Sequence, residues 1–407
     1  MSIQQNINFE SYIPKDKFKG SKILNKKRLN IQINKIKEDI KKKKNVFHSF
    51  SKNFKLNFNL NELKRYKKFK RIIIIGMGGS ILGTQAIHNF LKKNSKKELI
   101  FINNLSPSQT NYLKSLKDLK NSLFIIISKS GNTIEVLSII NFLKNKSNFN
   151  IKNSIVITEN KKSHLSSFAK KFKLKIIFHR SYIGGRYSIF SETALVPCFF
   201  MGINIIKLRK NILNFLNKKK SLLLKNIIDL SKIYNSKKIN SLVLLSYSEE
   251  LKNFMLWYQQ LIAESLGKKE KGIVPFTSVG PRDHHSLLQL FLDGPKDKFF
   301  YIFSIKKTSR IKREKGLFVK ALNNSNINDL LDIQKNAMLS LLKIKKIPFL
   351  SLEIKKRDEQ TFGELISYFI LETVLIGEDL KINPFNQPAV EQLKILTKQK
   401  LLKKKQR

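Results

Sequence analysis

The sequence predicts an α/β protein built from two parallel-sheet domains, each flanked by helices. Three observations predict this. Short β-branched runs with no polar alternation recur along the chain, as in RIIIIG (71–76), LFIIISKSG (123–131), SIVIT (154–158) and KIIF (175–178). Amphipathic stretches such as 81–93 and 133–144 lie between them. A second alternation of the same kind starts beyond residue 235. Continuous apolar strands alternating with helices are the pattern of parallel sheets covered on both faces.

Taken in order, residues 1–45 are polar and lysine-rich, with Leu29, Ile33, Ile36 and Ile40 at helical spacing, so they predict a peripheral helical arm. Residues 46–190 hold the first alternation and form the first α/β domain. Residues 191–380 form the second. A helical stretch over 208–235 precedes strands at SLVLLSY (241–247), FFYIFSI (299–305) and IPFLSLEI (347–354). Helical segments fall at 249–266, 284–292 and 361–378. Residues 381–407 form a C-terminal helical segment in which Pro388 opens the helix. Two α/β layers in one chain place a site between the domains or at the strand C-terminal ends.

Composition narrows the classes. At 407 residues the chain is long enough for two cores, and its 42% hydrophobic content excludes wholesale disorder. The single cysteine, Cys198, can form no internal disulfide and fits a reducing compartment. The apolar stretch 193–206 is broken by Pro197, Gly202 and Asn204, short of a membrane span, and residues 1–17 lack the apolar core of a secretory signal. A cytoplasmic protein is expected. The net charge of +50 invites nucleic acid as a partner. Yet lysines are scattered, the longest basic run is only 41–44, and Lys, Asn, Ile and Phe are the residues of AT-rich codons. The charge predicts a general attraction for anions, not a dedicated nucleic-acid or membrane partner.

Six short motifs carry chemistry. IIIIGMGGSILGTQAI (72–87) is a strand, a turn with Gly76, Gly78 and Gly79, then Ser80 and a helix. Such a turn lets backbone approach a ligand and aims helix N–H groups at an anion. A phosphate seat is preferred over a dinucleotide fingerprint, since the spacing Gly76, Gly78, Gly79, Gly83 departs from G-x-G-x-x-G and the acidic residue about 20 positions on is missing. ISKSGNTIEVL (127–137) repeats the arrangement with Ser128, Lys129, Ser130 and Thr133, hydroxyls and a cation suited to a phosphate monoester. Helix capping explains either turn alone; two from successive strands of one sheet would converge on one edge. In SYIGGRYSIFSETALVP (181–197) a glycine pair presents Arg186, whose planar charge suits an oxyanion. In LWYQQLIAESLGKKEKGIVPF (256–276), Glu264 follows an apolar helix face, where a carboxylate can serve as general base or be merely solvated. SVGPRDHHSLLQLFLDGP (278–295) places His284 and His285 together at a helix start, pointing apart, so at most one is catalytic. No cluster has metal-ligand spacing. PFNQPAVEQLKILTK (384–398) carries Gln387 before the last helix and Lys394 on it.

The order GMGGSILG, SKSGNT-x-E, GGRYSIFS, ES-x-GK, HHSLLQL-x-x-DG and NQPAVE-x-x-K resembles the phosphoglucose isomerase family across residues ~70 to 398. The resemblance implies two sugar-isomerase-type (SIS) domains, a dimer, and reversible isomerisation of glucose 6-phosphate and fructose 6-phosphate through a cis-enediolate, with no metal or nucleotide cofactor. Glu264 would shuttle the proton and Arg186 would stabilise the enediolate. His285, supplied by the partner subunit, and Lys394 would assist ring opening. Gly79, Ser80, Ser128, Lys129, Ser130 and Thr133 would seat the phosphate end, while Gln387 and Glu135 would touch the sugar or its neighbours. The chain departs from the family at 128–136, where many members carry S-K-T-F-T-T-x-E-T, and it is short. A bifunctional glucose/mannose-phosphate isomerase is therefore the nearest alternative, with Gln387 favouring the glucose-specific branch. A non-catalytic sugar-phosphate-binding SIS protein is a second, although it would need only the phosphate seat.

Overall fold

Uninterrupted isoleucine and phenylalanine runs are stable only where both faces of a sheet are covered, and the strands here obey that rule. The computed structural model describes residues 6–91, 97–306 and 325–404. In chain order its strands are β1 (Ile7–Tyr12), β2 (Arg71–Gly76), β3 (Glu98–Ile102), β4 (Ser122–Ile127), β5 (Ser154–Glu159), β6 (Lys175–His179), β7 (Ser241–Ser246), β8 (Val274–Val279), β9 (Lys298–Ile305) and β10 (Phe349–Ile354). They form two sheets, β3-β2-β4-β5-β6 and β1-β10-β9-β7-β8. The first is wholly parallel, and the second is parallel except for β1 against β10. The expected α/β class, two helix-flanked and mainly parallel sheets, is what the chain adopts.

Several elements differ from the sequence reading. Residues 1–45 were expected to be a helical arm, and the helix Lys26–Lys41 does bury Leu29, Ile33, Ile36 and Ile40. The same stretch also supplies β1, an edge strand of the second sheet with Ile7 opposite Ile354. Only its first four residues, INFE, alternate as a half-covered edge strand should, and so short a signal is easily missed. Strand β8 was missed because it contains Pro275, which an edge position tolerates. Strand β3 was also missed. The expected 208–235 helix is two, Ile205–Arg209 and Lys220–Ser236, with Asn211, Asn214 and Asn217 in the break. Asparagine competes with helix by bonding local backbone. The helical stretch 81–93 becomes Leu82–Leu91, with 92 and 93 outside the described residues.

The helix Lys252–Leu266 joins the two halves. It packs on the helix Leu82–Leu91 from the first half and on the helix Glu359–Asp379 and β8 from the second. Phe90 stacks on Phe362 at 4.5 Å, and Phe254 lies edge-on to Phe303, Phe362 and Phe369. The helix Glu359–Asp379 is buried almost all round, so a carboxyl in its interior must find partners. Glu372 finds phenols: Tyr258 donates to Oε1 and Tyr301 to Oε2, both at 2.5 Å. Tyr368 bonds the same carboxyl and accepts from Asn226 at 3.1 Å.

Burial lifts the Glu372 carboxyl from 4.5 to about 7, although the three phenols pull it back down. The folded chain therefore holds a proton there that the unfolded chain releases. The associated stability is complete below pH 4.5 and is lost as pH rises through about 7, on the order of 3 kcal/mol in all. Glu372→Gln, always neutral, should lack this part of the pH dependence. Urea unfolding at pH 5 and pH 7.5 checks it: the gap between variant and wild type should favour the variant more at the higher pH.

Candidate active site

The C-terminal ends of β2 and β4 lie level, with Gly76 opposite Ile127. The two glycine- and hydroxyl-rich turns therefore leave one sheet edge side by side. After β2, Gly78–Ser80 forms a 3-10 turn ahead of the helix Leu82–Leu91. Gly79 has a packing reason to be glycine, because a Cβ there would lie 2.3 Å from the carbonyl carbon of Gly185 and 2.4 Å from the nitrogen of Arg186. Contact between these two backbones docks the 184–186 turn against the first sheet's edge. Ser80 is half-buried beside it.

After β4, Ser128 is buried and its hydroxyl bonds that of Thr133 at 2.8 Å. The amide of Gly131 donates to the Ser128 hydroxyl at 3.2 Å, and that of Asn132 to Ser130 at 3.2 Å. Gly131 has φ +68°, and a Cβ there would lie 2.1 Å from the Ser163 hydroxyl. Thr133 precedes the helix Ile134–Ser147 without capping it with its side chain. Lys129 pairs with Glu159 at 3.6 Å, and Glu159 also pairs with Lys161. Burial holds the Lys129 ammonium below its ordinary pKa; Glu159 opposes this, while Lys161 and Arg186 add to it.

Arg186 is the hub. It is only 3% exposed, which a guanidinium can sustain only with its donors matched. Its Nε donates to Ser265 Oγ at 2.8 Å. Nη1 donates to Gln387 Oε1 at 2.7 Å and to Glu264 Oε2 at 3.2 Å. Nη2 donates to the carbonyls of Pro384 at 2.7 Å and Asn386 at 3.1 Å. Gln260, one turn before Glu264, donates from Nε2 to Glu264 Oε1 at 2.9 Å. Both carboxylate oxygens are thus held, yet Glu264 stays half-exposed at the edge of the cluster. Trp257 donates to the Arg186 carbonyl at 3.2 Å, and Tyr187 donates to the Pro384 carbonyl at 2.8 Å. The sequence reading missed Gln260 and Ser265. The i, i+4 spacing of Gln260 to Glu264 on one helix was the available signal.

The structure does not gather every expected residue. His285 is exposed in the 3-10 turn Arg282–His285 that follows β8, a turn rather than the start of a helix. Asp283 anchors that turn by accepting from the Val279 amide at 2.7 Å and the Ser278 hydroxyl at 2.9 Å. The neighbouring His284 is held instead by Tyr247, at 2.7 Å. Lys394 is exposed on the helix Pro388–Lys404 and pairs with Glu391 at 2.6 Å. Glu135 is exposed on the first turn of the helix Ile134–Ser147. Within one chain, the described hydrogen bonds and ion pairs connect Arg186, Glu264 and Gln387, and reach neither His285 nor Lys394.

Comparison with known proteins identifies the family of the chain. The family model described as phosphoglucose isomerase matches residues 25–407. The chain is 35% identical to the glucose-6-phosphate isomerase of Campylobacter jejuni, over 81% of this chain and 84% of that one. It is 33% identical to that of Methanocaldococcus jannaschii, over 83% and 85%. Among solved structures it is similar to a hypothetical protein of Thermus thermophilus, with TM-score 0.80, 24% identity and coverage of 92% and 94%. It is also similar to a glucose-6-phosphate isomerase from Chlamydia trachomatis, with TM-score 0.70, 22% identity and coverage of 84% and 72%; at these identities the two structures speak to the fold alone. With the family model spanning most of its length and relatives above 30% identity over four-fifths of it, the chain belongs to the phosphoglucose isomerase family.

Proposed function

We propose that this chain, as a glucose-6-phosphate isomerase, moves one proton between carbon 1 and carbon 2 of its substrate with Glu264 as the base and Arg186 as the facing cation. The carrying observation is the 3.2 Å pair between the buried Arg186 guanidinium and Glu264 Oε2. A sugar's carbon acid is weak, so proton removal needs a placed carboxylate and a charge beside the developing enediolate oxygens. Glu264 takes the proton from carbon 2 of the open-chain aldose, the electron pair passes into a cis-enediolate, the hydroxyl proton on O2 shifts to O1, and the same carboxyl returns its proton to carbon 1 as the carbonyl forms at carbon 2. The proton and electrons balance within the substrate, so the reaction asks for no redox cofactor. Gln387, bonded to the same Nη1, orients the guanidinium and the sugar near it. The turns 78–80 and 128–133 seat the phosphate, with Lys129 supplying charge. The relatives carry the glucose-6-phosphate isomerase name, which favours that activity over mannose-phosphate isomerisation or non-catalytic binding.

His285 and Lys394 belong, in this reading, to ring opening, with His285 reaching the site of a second subunit. Its exposure in a single chain supports that role, as do Leu393, Ile395 and Leu396, left exposed on the helix that carries Lys394. A reducing, cytoplasmic setting suits the buried lone thiol of Cys198.

A coupled assay on the purified protein, reading glucose 6-phosphate formed from fructose 6-phosphate, tests the activity itself. Glu264→Gln keeps the side chain's shape but not its basicity and should lower turnover by at least ~10²-fold; near-normal turnover would remove Glu264 from the mechanism. Mixing Glu264→Gln with His285→Ala subunits should restore part of the activity if sites are shared, and no recovery after demonstrated subunit exchange would argue against a shared site. Ser128→Ala with Thr133→Ala removes the hydroxyl pair of the phosphate seat. Each hydrogen bond to a charged group is worth about 1.5–3 kcal/mol, so the Michaelis constant for fructose 6-phosphate should rise at least ~10-fold. An unchanged constant would move the phosphate elsewhere.

A further inference from the structure

The segment 383–387 is loop backbone, and its shape decides whether Gln387 reaches Arg186. On one side it is fixed by Arg186 and Tyr187, which bond the carbonyls of Pro384 and Asn386. On the other side stands Lys268, one turn past Glu264 and just beyond the end of the helix Lys252–Leu266. Its Nζ donates to the Asn383 carbonyl at 2.5 Å, while Lys271 donates to the Leu380 carbonyl at 2.9 Å. We propose that Lys268 is a positioning residue of the isomerase site: its ammonium ties residue 383 to the helix end that carries Glu264, and so holds Gln387 against Arg186.

The inference rests on the isomerase reading for its kinetic consequence but not for its structural one. A charge-assisted bond to a backbone carbonyl is the strong kind, and here it spans the two segments that must keep register. The charged groups facing Lys268 are Arg186, which repels it, and Glu264 on the helix that precedes it, which attracts it. The loop stretch it contacts, Asn383-Pro384-Phe385-Asn386-Gln387, contains no titratable side chain. Burial, with Arg186 adding to it, brings the Lys268 ammonium down to about 8. The tie is therefore near full strength at neutral pH and weakens as the ammonium loses its proton above pH 8. Arginine in its place would stay charged throughout.

The test uses the full-length protein with Lys268→Met, Lys268→Gln and Lys268→Arg. Amide hydrogen exchange over 380–387 should quicken at least ~10-fold in the Met and Gln variants and stay near wild type in the Arg variant. In the isomerase assay, wild-type kcat/KM should fall above about pH 8. The Met and Gln variants should be ~10-fold or more weaker at pH 7 and lack that fall. Lys268→Arg should retain most activity and carry the plateau past pH 9. Exchange at wild-type rates in the Met and Gln variants overturns the proposal whatever the activity does. An alkaline fall that persists unchanged in them overturns it as well. Should the wild type show no isomerase activity, the exchange experiment still decides the role of Lys268.

Discussion

A buried guanidinium is the constraint around which the site is arranged. Arg186 gives up its hydration, and only matched acceptors repay that loss. The acceptors come from two places far apart in sequence: Ser265 and Glu264 at the end of one helix, and the segment 384–387, which offers the Pro384 and Asn386 carbonyls and the Gln387 side chain. Neither segment can shift without stranding a donor. The same residue is anchored from behind by Trp257, which bonds its carbonyl, and by Gly79, whose missing side chain lets the 184–186 turn lie against the first sheet. The fold and the chemistry meet in one side chain.

That arrangement explains the place of the helix Lys252–Leu266. It is wedged between the halves, and its buried residues include Trp257, Tyr258 and Leu261. Its C-terminal end emerges where the first sheet's turns, the 184–186 turn and the loop 383–387 converge. Gln260 and Glu264, four residues apart, share the face turned toward them. As the base proposed above, Glu264 on a helix packed from both sides would have little freedom to drift, which is what proton transfer at fixed distance requires.

The parts of this design that were legible in the sequence were those with local signatures. The β2 and β4 turns could be placed because apolar runs ended in glycine or serine before a helix, and parallel neighbours necessarily bring such turns to one edge. Arg186, Glu264 and Gln387 were found by motif, but nothing in their spacing shows that one guanidinium joins all three. That follows from tertiary packing, as do the bonds from Ser265 and from the Pro384 and Asn386 carbonyls. Strand β1 escaped because its alternation, confined to residues 7–10, is too short to outweigh the lysine-rich chain around it. Glu372 looked like any helix glutamate, and only burial among Tyr258, Tyr301 and Tyr368 makes it unusual.

Charge, finally, acts here by placement and not by amount. The chain carries +50 in all, yet most of that charge is spread over a solvated surface, where salt screens it within about 10 Å. Two cations near Arg186 are different. Lys129, at the hydroxyl-rich turn, and Lys268, beyond Glu264, are both held below their ordinary pKa by burial, and Arg186 contributes to both. Glu159 offsets the first locally and Glu264 the second. A cluster of partly desolvated cations with so few anions has an unmet demand for negative charge. A phosphate dianion at one end and an enediolate at the other would meet it, each relieving repulsion among the cations. Surface lysines can draw an anion toward the protein; in the proposed reaction Arg186, Lys129 and Lys268 would hold it where Glu264 could act as the base.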